Sequence, residues 1–353
     1  MSNRGLAQNG VPDVRGRLSA PTPNARRAFS LTASVILTVT LNAAIDRTVA
    51  VPNFRLGQRH RAVDARTFAG GKGVNIARAL RLLGRPVIAT GLAGGATGTR
   101  LLEQLRQESV MTAFTRIAGE SRTNLAVIDP TSGEQTEIND RGPEISTEEV
   151  ELFVDKLLYL AQGASICALA GSVPPGAPED LYARLITDLR ALGVLTVLDT
   201  EGEQMRAGLR AEPAVVAPNV TEAEEAVGHE FNDSDDLALG LTGLLEMGAG
   251  EAIVTIADGC VAIVGEGAER RRYEARNDQL EPVTTVGSGD CFLAGYLAAR
   301  YEGAAARESL AFGVACGAES TQHFGAGTLD RREVERLLPR VDVRELEITA
   351  SVR

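Results

Sequence analysis

Two glycine-rich stretches hold the residues whose types and spacing could do chemistry. In VGSGD, Gly287, Ser288 and Gly289 lead into Asp290 and an apolar run, CFLAGYLAA, that reads as a helix. Glycines there let several backbone N–H groups converge at a helix start, where the macrodipole also favours negative charge. That arrangement is an anion hole, and Asp290 at its edge could accept a hydroxyl proton while the hole steadies a phosphoryl group in transfer. The plainer alternative makes Asp290 an N-cap worth roughly 0.5–2 kcal/mol and the glycines a simple turn. In FAGGKGVN, Gly70, Gly71 and Gly73 surround Lys72. A nucleotide P-loop needs a hydroxyl residue directly after its lysine, to reach magnesium, and Gly73 stands there instead. The stretch is therefore either a tight strand-to-helix turn or a cradle for some other phosphate.

Further polar residues are candidates for binding. Asn219 and Glu222, in PNVTE, lie three apart on one side of a helix start. Their oxygens suit Mg²⁺, which keeps several of its waters, and the same spacing also makes a capping box. Asp46 could accept two hydroxyl hydrogens from a polyol, or make an ordinary turn bond. Arg122 and Lys72 offer a fork-like and a point-like cation for phosphate oxygens. His60, His229 and His323 are too scattered for a metal triad.

The elements that must position these groups follow an α/β rhythm from Val35 onward. VILTVTL, VIATGL, SICALA, LTVLD, AVVA and AIVTIA read as buried strands, and VNIARALRLLG places Ile76, Ala77, Leu80 and Leu83 on one helical face before Gly84. Asn42, Gly171, Ser172, Asp199 and Asn219 all follow or end such strands, and ligands of open α/β sheets bind outside the carboxyl ends of the strands. Residues 47–69 and 112–140 instead alternate polar and apolar residues, as half-exposed antiparallel strands do. They are expected to form a small sheet over the cleft, its other face buried on the cleft or on a second subunit.

Composition narrows the function classes. The net charge is −11, and residues 1–33 carry five arginines against one aspartate, so the rest of the chain is more acidic still. With few aromatics and no tryptophan, the chain offers no surface for nucleic acid, and no apolar run is long enough to cross a bilayer. Cys167, Cys260, Cys291 and Cys316 are far apart in apolar or glycine-rich settings, as reduced core residues of a cytoplasmic protein would be. Residues 1–33 read as a disordered leader.

In order and spacing, TLNAAID, AGGKGVNIARAL, RTN, AGSVPPG, APNVTEAE and TTVGSGDCFLAGYLAA resemble the ribokinase/PfkB family of sugar kinases, over about residues 34–340. The resemblance is greatest to its 1-phosphofructokinase and tagatose-6-phosphate kinase branch. It implies a ribokinase-like three-layer α/β/α sandwich over residues 34–345, with a β-sheet lid drawn from about 43–69 and 112–140. ATP and Mg²⁺ would be the cofactors, a sugar phosphate the acceptor, and a homodimer would often form through the lids. Asp290 would be the general base, and the amides of Gly287, Ser288 and Gly289 the anion hole. Asn219 and Glu222 would support Mg²⁺ and the nucleotide phosphates, largely through water, with Thr255 and Gly259 lining the nucleotide site. Asn42 and Asp46 would bind the sugar, Gly70 and Gly71 would let the backbone press against it, and Asn75 would bond its hydroxyls. Lys72 and Arg122 would face the phosphate already on the sugar, and Ser172 would add a hydroxyl.

The implied reaction is phosphorylation of fructose 1-phosphate at its 6-hydroxyl, with tagatose 6-phosphate or fructose 6-phosphate as rival acceptors. An enzyme acting on an unphosphorylated sugar is a further rival. A catalytically weak sugar-phosphate sensor is the rival from another class. It is motivated by Ala217, where the family often has lysine, and by TIADG, shorter than the family's glycine loop.

Overall fold

The computed structural model describes residues 34–347 apart from 266 and 279, and the leader expected over 1–33 lies outside the described residues. An 11-stranded sheet forms the backbone of the domain. From one edge its strands run Asp342–Leu346, Arg271–Arg276, Gly259–Val264, Glu251–Ile256, Val215–Val216, Leu195–Asp199, Ala164–Ala170, Val35–Thr40, Val87–Gly94 and Met111–Thr112, and Thr115–Ile117 also pairs with Val87–Gly94. Pairing is parallel from Met111–Thr112 to Glu251–Ile256 and antiparallel in the three strands beyond.

The parallel strands are apolar on both sides because both faces are covered. Successive side chains of a strand point to opposite faces, so Ile36, Ile166 and Ala168 enter one core while Leu37, Cys167 and Leu169 enter the other. The first core is closed by helices Lys72–Leu82, Gly95–Gln107, Ser288–Tyr301, Ala306–Ser320 and Arg331–Leu337. The second is closed by Thr147–Ala161, Leu181–Ala191, Gly202–Leu209, Val220–Val227 and Ser234–Glu246. This is the expected three-layer sandwich. The four cysteines are free and buried in these cores. Burial pushes the Cys291 thiol up to about 12, so it packs as a neutral group.

Helix Ser288–Tyr301 is buried along its whole length from Asp290 to Ala299. Small residues make this possible, since a Cβ on Gly295 would stand 2.7 Å from Cys316 Sγ and one on Gly317 would stand 3.2 Å from Phe292 Cβ. The helix is thereby locked at the sheet's centre, with its N-terminus at the cleft.

A separate four-stranded sheet runs Asp64–Gly70, Ala44–Ala50, Arg122–Ile128, Gln135–Ile138. It differs from the expected lid in two ways. Met111–Thr112 and Thr115–Ile117 belong to the main sheet, so the second lid segment begins at Arg122 instead of near 112. The central pair, Ala44–Ala50 with Arg122–Ile128, is parallel, because both strands leave the main domain in the same direction.

Candidate active site

Asp290 sits in the first turn of its helix, 7% exposed, where Asn75 Nδ2 donates to its Oδ2 at 2.8 Å. Gly287, the N-cap, has φ 78°, and a Cβ there would meet Ala326 Cβ at 2.5 Å, so the left-handed turn and its tight neighbour both call for glycine. No side chain caps this helix. Among the described residues the amides of Gly287, Gly289 and Asp290 have no protein acceptor, whereas the Ser288 amide donates to Thr285 O at 3.2 Å. The set of free amides thus differs in one donor from the anion hole that was expected: the Ser288 amide closes the turn, and the Asp290 amide is free in its place. A Cβ on Gly289 would meet nothing within 4 Å, so this turn opens onto space.

Lys72 begins the neighbouring helix, and its Nζ lies 2.7 Å from both Asp199 Oδ1 and Glu222 Oε1. Burial works against the ammonium, but Asp199, Glu222 and Asp290 outweigh it and hold its pKa above the ordinary range. Burial also raises Asp199, although Lys72 opposes the shift. For Asp290, burial first and the Asp199 charge second push the carboxyl up to about 7, against the pull of Lys72 and Asn75, with Glu222 adding to the rise. A carboxyl titrating near neutrality is suited to taking a proton from a hydroxyl.

Three cavities meet around this cluster. One of about 400 Å³ lies under the lid, lined by Asn42, Asp46, Lys72, Asn75, Arg122 and Ser172 among others. A second, of about 490 Å³, shares Lys72 and is lined by Asn219, Glu222, Gly287, Gly289 and Asp290. The third, of about 370 Å³, shares Thr255, Ser288 and Gly289 with the second and is walled by Phe292, Val314 and Ala318. The first and third have mixed polar and apolar walls and the second is mostly polar, a series with room for an acceptor, a polyphosphate and a flat base.

Under the lid, Asn124 Nδ2 donates to Asp46 Oδ1 at 2.8 Å, and burial raises the Asp46 pKa despite that bond and the charge of Arg122. Arg122 donates to the carbonyls of Asn42 (3.0 Å) and Asp140 (2.8 Å), and burial lowers its pKa. Asn42 Nδ2 donates to Ser172 Oγ at 3.2 Å, while buried Asn42 Oδ1 and Thr40 Oγ1 in the cavity wall have no protein partner. Such orphaned oxygens are satisfied by a polar ligand or by water.

Several expected residues sit otherwise than anticipated. Lys72 reaches two carboxylates where a sugar's phosphate was expected, and Asn75 reaches Asp290 where a sugar hydroxyl was expected. Gly70 is absent from the cavity wall, and a Cβ on it would overlap the Asp46 carboxylate. Gly71, with φ 110°, does line the cavity and presses on Thr40. Asn219 and Glu222 form the capping box of helix Val220–Val227 and also line the second cavity. Thr255 and Gly259 line the third cavity. TIADG is short because Ala257 and Asp258 make a two-residue hairpin turn, with Arg276 donating two bonds to Asp258.

Sequence reasoning placed Asp199 at the cleft but gave it no role, and it singled out neither Asn124 nor Arg78. Asp199 was visible as the polar end of LTVLD, and Arg78 as a cation inside an apolar helical run. Asn124 was visible only as the last residue of RTN.

Metal and nucleotide can be tested against these donors. Both oxygens of Glu222 are engaged, by Lys72 and the Asn219 amide, and Asp199 is engaged by Lys72. Among the described residues no group of three acidic, histidine or cysteine side chains could hold a metal. The site fits an ion carried on nucleotide phosphates and water, and the free amides fit the phosphates themselves.

A buried near-neutral carboxyl, a fixed cation and an open amide turn between two cavities define an α/β phosphotransferase. The chain is similar to the 1-phosphofructokinase of Bacillus subtilis, 32% identical over 313 residues, covering 88% of this chain and all of the relative. It is likewise similar to the 1-phosphofructokinase of Borreliella burgdorferi, at 30% identity over 88% of this chain and 99% of the other. Among solved structures, a possible 1-phosphofructokinase from Thermotoga maritima superposes with a TM-score of 0.80 at 26% identity, covering 89% of this chain and 100% of that one. The model of the pfkB family of carbohydrate kinases matches residues 37–332, and the chain belongs to that family. It is a sugar-phosphate kinase.

Proposed function

We propose that the chain transfers the terminal phosphoryl group of ATP to the 6-hydroxyl of fructose 1-phosphate. The observation that carries this reading is the meeting of the two cavities at Lys72, with Asp290 and the free amides of the Gly287 turn in the wall of the second. Relatives named 1-phosphofructokinase support the choice of acceptor.

Asp290 accepts the hydroxyl proton as the oxygen attacks. The amides of Gly287, Gly289 and Asp290 hold the phosphate oxygens at the helix N-terminus. Lys72, common to both cavities, stabilises the charge on the phosphoryl group in transfer, a role that replaces its expected contact with the sugar's own phosphate. That phosphate falls instead to Arg122, whose Nη2 has no protein acceptor among the described residues. Asp46, Asn42 and Ser172 hold the sugar hydroxyls. Mg²⁺ brought by the nucleotide would neutralise charge on the phosphates, and Asn219 and Glu222 are the residues that would support it, largely through water.

The lid pairs with that of a second copy, supported by its edge strand Gln135–Ile138, exposed at all four residues, and by exposed Leu56 and Val63. Among the described residues no helix is long and apolar enough to cross a membrane. Four free thiols are in keeping with a cytoplasmic protein.

The test is ADP release by the purified protein across fructose 1-phosphate, fructose 6-phosphate, tagatose 6-phosphate and free sugars. The expected result is the highest kcat/KM with fructose 1-phosphate. Binding without ADP release for every acceptor would replace this reading with that of a sensor.

A further inference from the structure

Arg78 is only 6% exposed, yet it touches neither the nucleotide side nor the acceptor side of the cleft. Its guanidinium is fully used within the protein. Nε and Nη2 donate to Glu108 at 2.7 and 3.3 Å, Nη2 donates to Ala69 O at 2.7 Å, and Nη1 donates to Ala326 O at 2.7 Å and to Asn75 Oδ1 at 3.1 Å. Asn75 in turn donates from Nδ2 to Asp290.

This chain of bonds has a direction. An amide side chain has an acceptor end and a donor end, and rotation by half a turn exchanges them. The guanidinium offers only donors and stays charged, so it can donate only to the Oδ1 end of Asn75. The NH₂ end must then face Asp290. Turned the other way, Asn75 would set an oxygen against an ionised carboxylate and leave a buried guanidinium donor unpaired.

The same side chain also grips what surrounds the base. Ala69 is the penultimate residue of the lid strand Asp64–Gly70, and Ala326 belongs to the segment pressed on Gly287, while a Cβ on Gly327 would meet Asn75 Cα at 2.8 Å. The guanidinium thus ties the lid's root and the neighbour of the anion turn to the residue that orients the base.

We propose that Arg78 is a positioning residue for phosphoryl transfer, acting through Asn75 to aim the Asp290 carboxylate and to keep its donor partner in place. This rests on the reading of Asp290 as the base. The remaining charged groups facing Asp290 are Lys72, Asp199 and Glu222, and those facing Arg78 are Glu108 and Asp46, with the Cys291 thiol also close. All stay in place in the test except Glu108, which is neutralised together with Arg78 so that it is not left as an unpaired carboxylate.

The variants are Asn75→Ala, Arg78→Met/Glu108→Gln, their combination, and Arg78→Lys, which retains a cation for Glu108 if the double variant does not fold. Activity needs ionised Asp290, so kcat/KM rises with pH through the pKa of that group and is lost below it. Loss of the Asn75 donor disfavours the ionised form, so the acid limb should move up by roughly 1 pH unit. Arg78→Met/Glu108→Gln should reproduce that shift and lower kcat by about 10- to 100-fold, with KM for fructose 1-phosphate changed by no more than a few-fold. Combining it with Asn75→Ala should cost no more than Asn75→Ala alone, and Arg78→Lys should fall between wild type and the double variant. Effects that multiply in the combination, or an acid limb that does not move in the Arg78 variants, would overturn the inference. Asp290→Asn separates this failure from that of the underlying reading: if it stays active the base assignment falls, and if it is inactive while the Arg78 effects multiply, only the positioning role falls.

Discussion

The two glycine turns, Gly70–Gly73 and Gly287–Gly289, look alike in sequence and both open onto helices, but they face different things. In the first, glycine is required because protein crowds in: a Cβ on Gly71 would stand 2.6 Å from Thr40 Cγ2, and one on Gly73 would stand 2.5 Å from Thr40 Oγ1. In the second, Gly287 is crowded but Gly289 faces empty space, and the amides of Gly287, Gly289 and Asp290 have no protein acceptor among the described residues. One turn brings a helix against the first strand, and the other leaves room for a phosphate. The lesson is that glycine spacing marks a close approach without saying what approaches.

The comparison is broken most severely at Asp290. Asp290→Asn keeps the turn but removes the proton acceptor, and kcat should fall by about 10²- to 10⁴-fold with acceptor binding retained in calorimetry. Near-normal turnover would return Asp290 to the role of a helix residue. Next comes the single charged group of the first turn. Lys72→Met should lower kcat by about 10²-fold and alter KM for fructose 1-phosphate much less, because its ammonium is placed at the junction of the cavities. A rise confined to that KM would restore Lys72 as the partner of the sugar's own phosphate.

The smallest and sharpest test exchanges one methyl group at each turn. Gly73→Ala should destabilise the fold by about 1–3 kcal/mol in denaturant unfolding, since the added carbon has no room. Gly289→Ala should leave stability within about 0.5 kcal/mol while raising KM for ATP, since its added carbon meets no protein atom and lies in the wall of the cavity proposed for the nucleotide phosphates. Equal stability losses at both sites would erase the distinction drawn here.

Much of the fold was legible because it is written locally. The β-branched runs at Val35–Thr40 and Leu195–Asp199, the helical spacing after Lys72 and the turn at Gly287 each depend on residues only a few positions apart. The lid was legible in outline, but the strand Thr115–Ile117 was not assignable, because three residues cannot show which sheet they will join. Arg78 was visible but its role was not, since an arginine in an apolar helical face reads as an exception until its partners are seen.

By itself, then, the sequence determined the alternating α/β order, the cleft at the carboxyl ends of the strands, and the placing of Asp290 beside an amide-rich helix start. Only the tertiary structure decided where the cations point. Lys72 meets Asp199 and Glu222 across separations of 127 and 150 residues, and Asn75 meets Asp290 across 215. Periodicity and turn chemistry act over a few residues, whereas a buried charge takes whichever partner the packed layers bring within reach, and no local pattern encodes that choice.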